Sequence, residues 1–435
     1  VCFPSLLSVY QGGRESLAMS GALKLCCAKA PLYARFSAIL GLVVCACGFG
    51  IPPHGAILGR VLIVAVLLRR LCRSLLRVPS RHCTFRGVEM EASVEGLHRR
   101  FAELYISDKQ DTEPEGSAES LVLQTQQMLT LEDGQCLAFW DVGPKSCDGG
   151  AILVCNGLGA RVMTWAPLLD ALHSASPCWA QRRFVIFDYR GQFDSQPLAE
   201  NSEITVKRSA ADAAALAKHL KLRRCSLLCW STGVQVGLQL ALDRPELVEA
   251  MVLIQGTTGD AMKALLQPLC HVPGVPSFLE AVLRHVPSLL LRRGRREFLH
   301  GSLCRNTSAF EKLGRCMFWF FGSDLIAPAG VRYTQDMLQS DQHFRNYCGY
   351  ALALGQHKVL WRLPEIKAPA LVVTGTPDFI TPARCSYDMA ALLGGPTVLV
   401  DDISGSHYYI YEEPQKLALE MVRFLDKHAP PEPGV

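Results

Sequence analysis

A single serine, Ser231, stands where an apolar run gives way to a helical pattern. The run is Leu227-Leu228-Cys229-Trp230, and the small residues Thr232 and Gly233 follow the serine. This pattern predicts a strand, a sharp turn and a helix, with the hydroxyl raised at the turn and N–H groups of the helix start facing the same space. A serine in that position is suited to nucleophilic attack on an acyl carbon. By itself the run is equally typical of an ordinary strand-to-helix turn.

The serine run belongs to an alternation of apolar strands and helices. Apolar runs occupy 151–155, 184–187, 250–254, 370–373 and 397–400, and helical spacing occupies 162–173 and 206–220. From about residue 126 to 428 this alternation predicts an α/β fold with a mostly parallel sheet and helices on both faces, opened by an antiparallel hairpin at 126–141. Ligands of such sheets bind beyond the carboxyl ends of the strands.

Residues Gln126 to His428 resemble the α/β-hydrolase family in its serine-nucleophile, cap-bearing form. The strand order agrees, and the run around Ser231 matches the motif G-x-S-x-G except that Cys229 replaces the first glycine. Gly375-Thr376-Pro377-Asp378 matches the loop that carries the family's acid. Ser404-Gly405-Ser406-His407 follows the last predicted strand, where the family has its histidine.

The resemblance implies three catalytic residues: Ser231 as nucleophile, His407 as general base and then general acid, and Asp378 as the carboxylate that orients the imidazole. A serine hydroxyl is a poor nucleophile at neutral pH, so a base that titrates near that pH must take its proton. The resemblance also implies that the backbone N–H groups of Leu158 and Thr232 bind the oxyanion of the tetrahedral intermediate. We expect these five residues to form the site.

Each implied role has a structural alternative. Asp378 precedes Thr381-Pro382, so its carboxylate is also typical of a helix cap, and Asp401-Asp402 offers rival acids. His407 by itself is typical of a hydrogen-bonded loop histidine. Asn156 stands where the family commonly has a histidine in its glycine loop, and the sequence does not show what it bonds.

The alternation stops at about residues 257–363, where the family inserts a helical cap. Residues 273–296 predict one or two helices with a basic face, and Met317-Phe318-Trp319-Phe320-Phe321 is an aromatic cluster. Apolar walls above a serine favour a lipophilic substrate, although each aromatic residue equally suits the core of the cap itself. Gln255-Gly256-Thr257-Thr258-Gly259 enters this insertion and resembles an Asn-Gly-Thr-x-Gly segment of some cap-bearing hydrolases.

Residues 1–88 differ in composition from the rest of the chain. They hold eleven Lys and Arg against one acid, Glu15, whereas the whole chain carries a net charge of +4. Residues 36–51 and 56–68 are apolar but shorter than the roughly twenty residues that span a bilayer. We expect this segment to be an apolar, basic membrane anchor, with an organelle-targeting presequence or a buried helical extension as alternatives. Residues 89–125 predict a helix and a polar linker.

The 18 cysteines show no regular spacing. Cys155, Cys225 and Cys229 fall on or beside apolar strands, which favours reduced thiols and a hydrolase domain that faces a reducing compartment. The sequence has no metal-spaced Cys/His cluster, no P-loop and no dinucleotide motif, and the family needs no cofactor. The basic charge comes with no nucleic-acid motif, so no nucleic-acid partner is expected.

The sequence therefore predicts a serine hydrolase that cleaves an ester, thioester or related acyl bond of a small-molecule or lipid substrate through an acyl-enzyme on Ser231. An acyltransferase on the same fold is one alternative, although none of the 12 histidines has an aspartate five residues further on, as the acyltransferase motif requires. A non-catalytic binding scaffold is another. Cys229 and Asn156 depart from the family pattern and favour the scaffold, whereas the complete triad favours catalysis.

Overall fold

The structure is a computed structural model that describes residues 126–143, 150–176, 179, 182–198, 202–265, 269–291, 294–308, 335, 337–376, 378–402 and 405–430. Three features of the sequence lie outside these residues: the N-terminal segment 1–88, the linker 89–125 and the aromatic cluster 317–321. The predictions made for them stay predictions.

One sheet organises the described residues, with strand order β1-β2-β4-β3-β5-β6-β7-β8. The strands are β1 (Gln126–Thr130), β2 (Cys136–Val142), β3 (Ile152–Cys155), β4 (Phe184–Phe187), β5 (Cys225–Trp230), β6 (Val248–Ile254), β7 (Ala370–Gly375) and β8 (Thr397–Asp402). β2 pairs antiparallel with both β1 and β4, and every other pair is parallel. The predicted mostly parallel sheet with an N-terminal hairpin is confirmed.

Burial explains why the central strands are continuous apolar runs. Every residue of β3, β4 and β5 is buried, because parallel strands in such a sheet are covered on both faces. The outer strand β1 is mostly exposed and alternates less clearly. Burial thus falls from the central strands to the edge strand β1.

Helices cover both faces of the sheet, as predicted. They are α1 (Ala166–Ala175), α2 (Val206–His219), α3 (Thr232–Asp243), α4 (Ala261–Ala264), α5 (Val275–Leu290), α6 (Arg295–Arg305), α7 (Asp341–Gln356), α8 (Ala383–Leu392), α9 (Tyr409–Glu412) and α10 (Pro414–His428). Apolar residues of α2, α3 and α8 join one core cluster, and those of α1 and α10 join the cluster on the opposite face. The α/β fold is therefore a three-layered arrangement around one sheet.

Between β6 and β7, the described residues include the helices α4 to α7. A small cluster of their own packs Leu303, Leu338, Phe344 and Cys348 together. The predicted helical segment 273–296 is divided between α5 and the start of α6, and α6 begins after Gly294, whose φ is +67°. None of the helices in the described part of the chain is both long and apolar enough to cross a membrane.

Parallel pairing brings the carboxyl ends of six strands, β3 to β8, to one edge. Cys155 at the end of β3 is the register partner of Cys229 in β5, and Ile254 at the end of β6 is the partner of Val373 in β7. The loops that follow β3, β5, β6, β7 and β8 consequently emerge side by side, at the edge where ligands of such sheets bind.

Candidate active site

Ser231 forms the apex of the turn between β5 and α3. Its φ of 55° and ψ of −111° lie outside the regions that non-glycine residues ordinarily occupy. The turn is tight because a Cβ on Gly233 would lie 1.9 Å from the carbonyl oxygen of Cys155 on β3. A glycine is therefore required two residues after the serine, as the sequence pattern indicates. The N–H of Ser231 donates to the carbonyl oxygen of Ile254 at 2.9 Å, which ties the apex to β6.

Cys229, which replaces the first glycine of the motif, is accommodated by a glycine on the neighbouring helix. A Cβ on Gly237 in α3 would lie 2.4 Å from the Cys229 Sγ. The family's first motif glycine leaves room between strand and helix, and here the missing side chain of Gly237 leaves that room for Cys229. Burial raises the pKa of the Cys229 thiol well above its usual value, so the thiol stays neutral and acts as a small apolar side chain.

Ser231, His407 and Asp378 form a continuous hydrogen-bonded chain. The Ser231 Oγ lies 2.9 Å from the His407 Nε2, and the His407 Nδ1 lies 2.9 Å from the Asp378 Oδ2. Asp378 and His407 are buried, whereas Ser231 is partly exposed. The three residues that the resemblance implied are therefore brought together from three different loops. Only the hydroxyl end of the chain is open to an incoming molecule.

The carboxylate of Asp378 also holds its own loop, but it does not cap a helix, because α8 has Pro382 as its N-cap and no side-chain cap hydrogen bond. Its Oδ1 accepts hydrogen bonds from the N–H groups of Ile380 at 2.8 Å and Thr381 at 2.7 Å. One oxygen therefore fixes the loop and the other faces the imidazole. The rival acids bond elsewhere: Asp401 accepts from the hydroxyl of Tyr387, and Asp402 accepts from that of Tyr409.

The loop that carries His407 is held by side chains from other elements. The indole Nε1 of Trp230 donates to the carbonyl oxygen of His407 at 3.0 Å. Glu412 accepts from both the N–H and the hydroxyl of Ser406, at 2.7 and 2.6 Å. The acid and histidine loops also touch, since a Cβ on Gly375 would lie 1.8 Å from the carbonyl oxygen of Gly405. Small residues in these motifs thus serve close packing of the loops.

The two residues expected to bind an oxyanion lie on adjacent loops. Thr232 is the first residue of α3, where an N–H has no acceptor inside the helix. Leu158 lies in the turn after β3, the strand next to β5. Gly157 lies against the indole of Trp230, where a Cβ would be only 2.6 Å from the ring carbon Cε3.

Asn156 fixes the position of the Leu158 loop. Its Nδ2 donates to the carbonyl oxygen of Phe187 at 2.8 Å, and its Oδ1 accepts from the indole of Trp165 at 2.7 Å. The hydroxyl of Tyr189 donates to its carbonyl oxygen at 2.9 Å. This departure from the family's usual histidine therefore keeps a polar group that joins the loop to β4.

Two residues near the triad were not predicted from the sequence to act at the site. The hydroxyl of Thr381 lies 2.7 Å from the Asp378 Oδ2 and 3.1 Å from the His407 Nδ1. Gln255 binds the histidine loop through its side chain. Sequence position could have indicated both residues. Thr381 lies three residues after Asp378, and Gln255 directly follows an apolar run that predicts a strand. Among the residues described, no group of three or more His, Cys, Asp or Glu side chains is arranged to hold a metal ion.

Comparison with known proteins agrees with this geometry. Residues 150–414 match the family described as alpha/beta hydrolase fold. A protein of Variovorax paradoxus named for carbamate hydrolysis, RutD, is 33% identical over 144 residues, which cover 30% of this chain and 52% of that protein. The magnesium-chelatase 30 kDa subunit of Rhodobacter capsulatus is 24% identical over 269 residues, covering 62% of this chain and 84% of that protein.

Among solved structures, an esterase of Exiguobacterium antarcticum shares the fold. Its TM-score is 0.51 and its identity 17%, and the match covers 69% of this chain and 99% of the esterase. At this identity the likeness concerns the fold. The match to the family extends over more than half of the chain, and the chain therefore belongs to the α/β-hydrolase family of enzymes.

Proposed function

We propose that this enzyme is a serine hydrolase that cleaves an ester, thioester or related acyl bond through an acyl-enzyme on Ser231. The observation that carries the proposal is the hydrogen-bonded chain from the Ser231 Oγ through His407 to Asp378, with 2.9 Å at each link. The backbone strain at Ser231 also supports catalysis over a binding scaffold. Such strain costs about 1–3 kcal/mol and is found most often at functional sites.

The proposed reaction begins with attack of the Ser231 Oγ on the acyl carbon. The hydroxyl proton passes to the His407 Nε2, while the carboxylate of Asp378 stabilises the imidazolium through Nδ1. The same proton is then donated to the departing alcohol, thiol or amine. A water molecule repeats the sequence on the acyl-enzyme, releases the acid and restores the serine.

Charge on the acyl oxygen would be stabilised by the N–H groups of Leu158 and Thr232. The two residues come from loops that emerge side by side from β3 and β5. Backbone donors of this kind are fixed before the reaction, so they need no reorganisation as the negative charge develops. Loss of a single donor typically lowers kcat by about 10²- to 10³-fold.

One observation favours an apolar acyl group. Phe379 and Ile380 follow Asp378 directly, and each is 37% exposed, so they present apolar surface beside the triad. An apolar wall next to a few polar groups is typical of a site that binds a small molecule.

The name of the Variovorax relative refers to a carbamate and that of the Exiguobacterium structure to an ester, and both bonds contain an acyl carbon.

A fluorophosphonate probe tests the proposal. Wild-type protein should be labelled covalently, and Ser231→Ala should not be labelled. Ser174→Ala is the matched control, because Ser174 is an exposed serine on α1 that bonds only within its own helix, and its labelling should equal that of wild type. Labelling that persists in Ser231→Ala, or a folded wild type that is not labelled, would contradict the proposal.

A graded series of acyl esters would identify the substrate class. We expect kcat/KM to rise with acyl chain length if Phe379 and Ile380 line the acyl site, and Ile380→Ser to reduce that rise. Product analysis with and without an added alcohol separates hydrolysis from acyl transfer, since only the latter forms a new ester. A flat response to chain length would argue for a polar substrate.

Membrane association through residues 1–88, with the hydrolase domain facing a reducing compartment, remains part of the proposal. Its support is the apolar and basic composition of that segment. The measurement is extraction of membranes with carbonate at high pH. An integral anchor should keep the protein in the membrane fraction, and release into the supernatant would contradict it.

A further inference from the structure

Gln255, the first residue after β6, has a backbone conformation that residues other than glycine rarely adopt. Its φ is 46°, and its side chain is completely buried. The following residue is also restricted, because a Cβ on Gly256 would lie 2.2 Å from the Cβ of Val234 on α3. Strain of this kind is found most often at functional sites, where neighbouring contacts maintain it.

The side chain of Gln255 spans the loop that carries His407. Its Nε2 donates to the carbonyl oxygen of Ser406, and its Oε1 accepts from the N–H of Tyr409 at 3.3 Å. One amide group thus uses its donor and its acceptor on opposite sides of the histidine. A carboxylate of the same length lacks the donor, and an apolar side chain lacks both groups.

The main chain of Gln255 contacts the loop that carries the acid. Its carbonyl oxygen lies 2.8 Å from the Oγ1 of Thr381, and the same hydroxyl lies 2.7 Å from the Asp378 Oδ2. A hydroxyl carries one proton, so Thr381 donates to one of these two oxygens at a time. Thr381 therefore connects the carboxylate of the triad to the end of β6.

The nucleophile is bonded to the same strand end. The N–H of Ser231 donates to the carbonyl oxygen of Ile254, and the N–H of Gln255 donates to that of Val373 on β7, both at 2.9 Å. Ile254 at the end of β6 and Gln255 directly after it thus contact the loops of all three triad members.

We propose that Gln255 is a positioning residue for the triad. It holds the histidine loop by its side chain and the acid loop by its carbonyl oxygen, and so sets the distance between the His407 Nε2 and the Ser231 Oγ. The inference rests on the proposed serine-hydrolase function and adds a residue that does not touch the substrate. Because a misplacement of about 1 Å can cost about 100-fold in rate, the effect should fall on kcat.

The test is Gln255→Met, which has a similar volume and loses both side-chain hydrogen bonds. We expect kcat to fall about 100-fold while KM stays within about twofold. The low-field NMR signal of the His407 Nδ1 proton should broaden or disappear. A folded variant that keeps kcat within about threefold of wild type, or that keeps the proton signal unchanged, would overturn the inference.

Two further variants make the result decisive. Lys221→Met is the matched control for a methionine at a left-handed position, since Lys221 also has a φ of 56° but lies two residues after α2, and it should leave kcat and the proton signal unchanged. If Gln255→Met does not fold, Gln255→Glu takes its place. It keeps the acceptor for Tyr409 but loses the donor to Ser406, so the same fall in kcat is expected.

Failure of this inference differs from failure of the proposed function. If wild-type protein is not labelled by the fluorophosphonate, both are overturned. If wild type is labelled and folded Gln255→Met is labelled at the wild-type rate, the hydrolase function stands and the positioning role is overturned.

Discussion

Two buried histidines show how surroundings decide what an imidazole does. His407 and His357 are 7% and 9% exposed, and in each the two ring nitrogens lie 2.9 Å from their partners. His407 lies between a carboxylate and a hydroxyl. His357 lies between the amide oxygens of Gln235 and Gln239 on α3. Because only a carboxylate supplies a compensating negative charge, His407 is the one suited to accept a proton during a reaction.

His357 is part of a polar cluster that joins α3 to the insertion between β6 and β7. Gln235, one of its partners, also donates to the hydroxyl of Thr257 at 2.8 Å. Burial, and secondarily the charge of Lys207, lower the pKa of His357 to about 4. The imidazole is therefore neutral at physiological pH, donates to only one of the two amide oxygens, and contributes to structure.

The largest difference is expected in activity. His407→Gln should lower kcat/KM by about 10⁴-fold or more, because the base that activates Ser231 is lost. His357→Gln should change kcat/KM by less than about threefold. Hydrolysis of an acyl ester by the two purified variants measures both effects. Equal losses would show that the two histidines are not functionally distinct.

The second-largest effect is expected when the negative charge of Asp378, beside His407, is removed. Asp378→Asn should lower kcat about 10⁴-fold, because the amide favours the wrong tautomer of the imidazole and cannot balance its charge. Asp401→Asn is the matched control, since Asp401 bonds the hydroxyl of Tyr387 and not His407. The comparison is made on kcat at pH 7 with folding checked by circular dichroism. Similar activity of the two variants would exclude Asp378 as the orienting acid.

The pKa of His357 predicts a dependence of stability on pH. A histidine with a pKa near 6.5 when unfolded and about 4 when folded binds more protons in the unfolded state between these values. The free energy of unfolding should therefore fall as the pH drops from about 6.5 to 4, by about 3 kcal/mol from this residue. Urea unfolding of wild type and His357→Gln over this range measures the difference.

His357→Gln should lose that part of the dependence. A wild-type protein whose stability rises on acidification relative to the variant would mean that the two amide oxygens hold the ring protonated. In that case the contrast between the two histidines would disappear.

The smallest effect concerns Cys229, a buried titratable group that we assign to packing. Gly237→Ala should destabilise the protein by about 1–3 kcal/mol, because the added Cβ meets the Cys229 Sγ. Cys229→Gly combined with Gly237→Ala should recover most of that loss. Thermal unfolding of the single and double variants gives the coupling. Additive losses would show that the two residues do not compensate one another.

Local pattern predicted the sheet closely. The strand expected at 184–187 is Phe184–Phe187, and that expected at 151–155 is Ile152–Cys155, because buried parallel strands must be apolar at every position. The helix expected at 162–173 begins instead as a 3₁₀ turn at Val162–Trp165 and continues as α1. Pro167 favours the start of a helix at that point, since it lacks the N–H that a first turn leaves unused.

The sequence by itself determined the alternation of strands and helices, and its resemblance to the family pointed to Ser231, Asp378 and His407. Those signals are local, because hydrophobic periodicity and small-residue turns are read within a few neighbours. Only the tertiary structure decided what supports the triad. Gln255 meets the acid loop across 126 residues and the histidine loop across 151, and Trp230 meets His407 across 177. Contacts at such separations depend on how the strands are ordered in the sheet, and no local pattern encodes them.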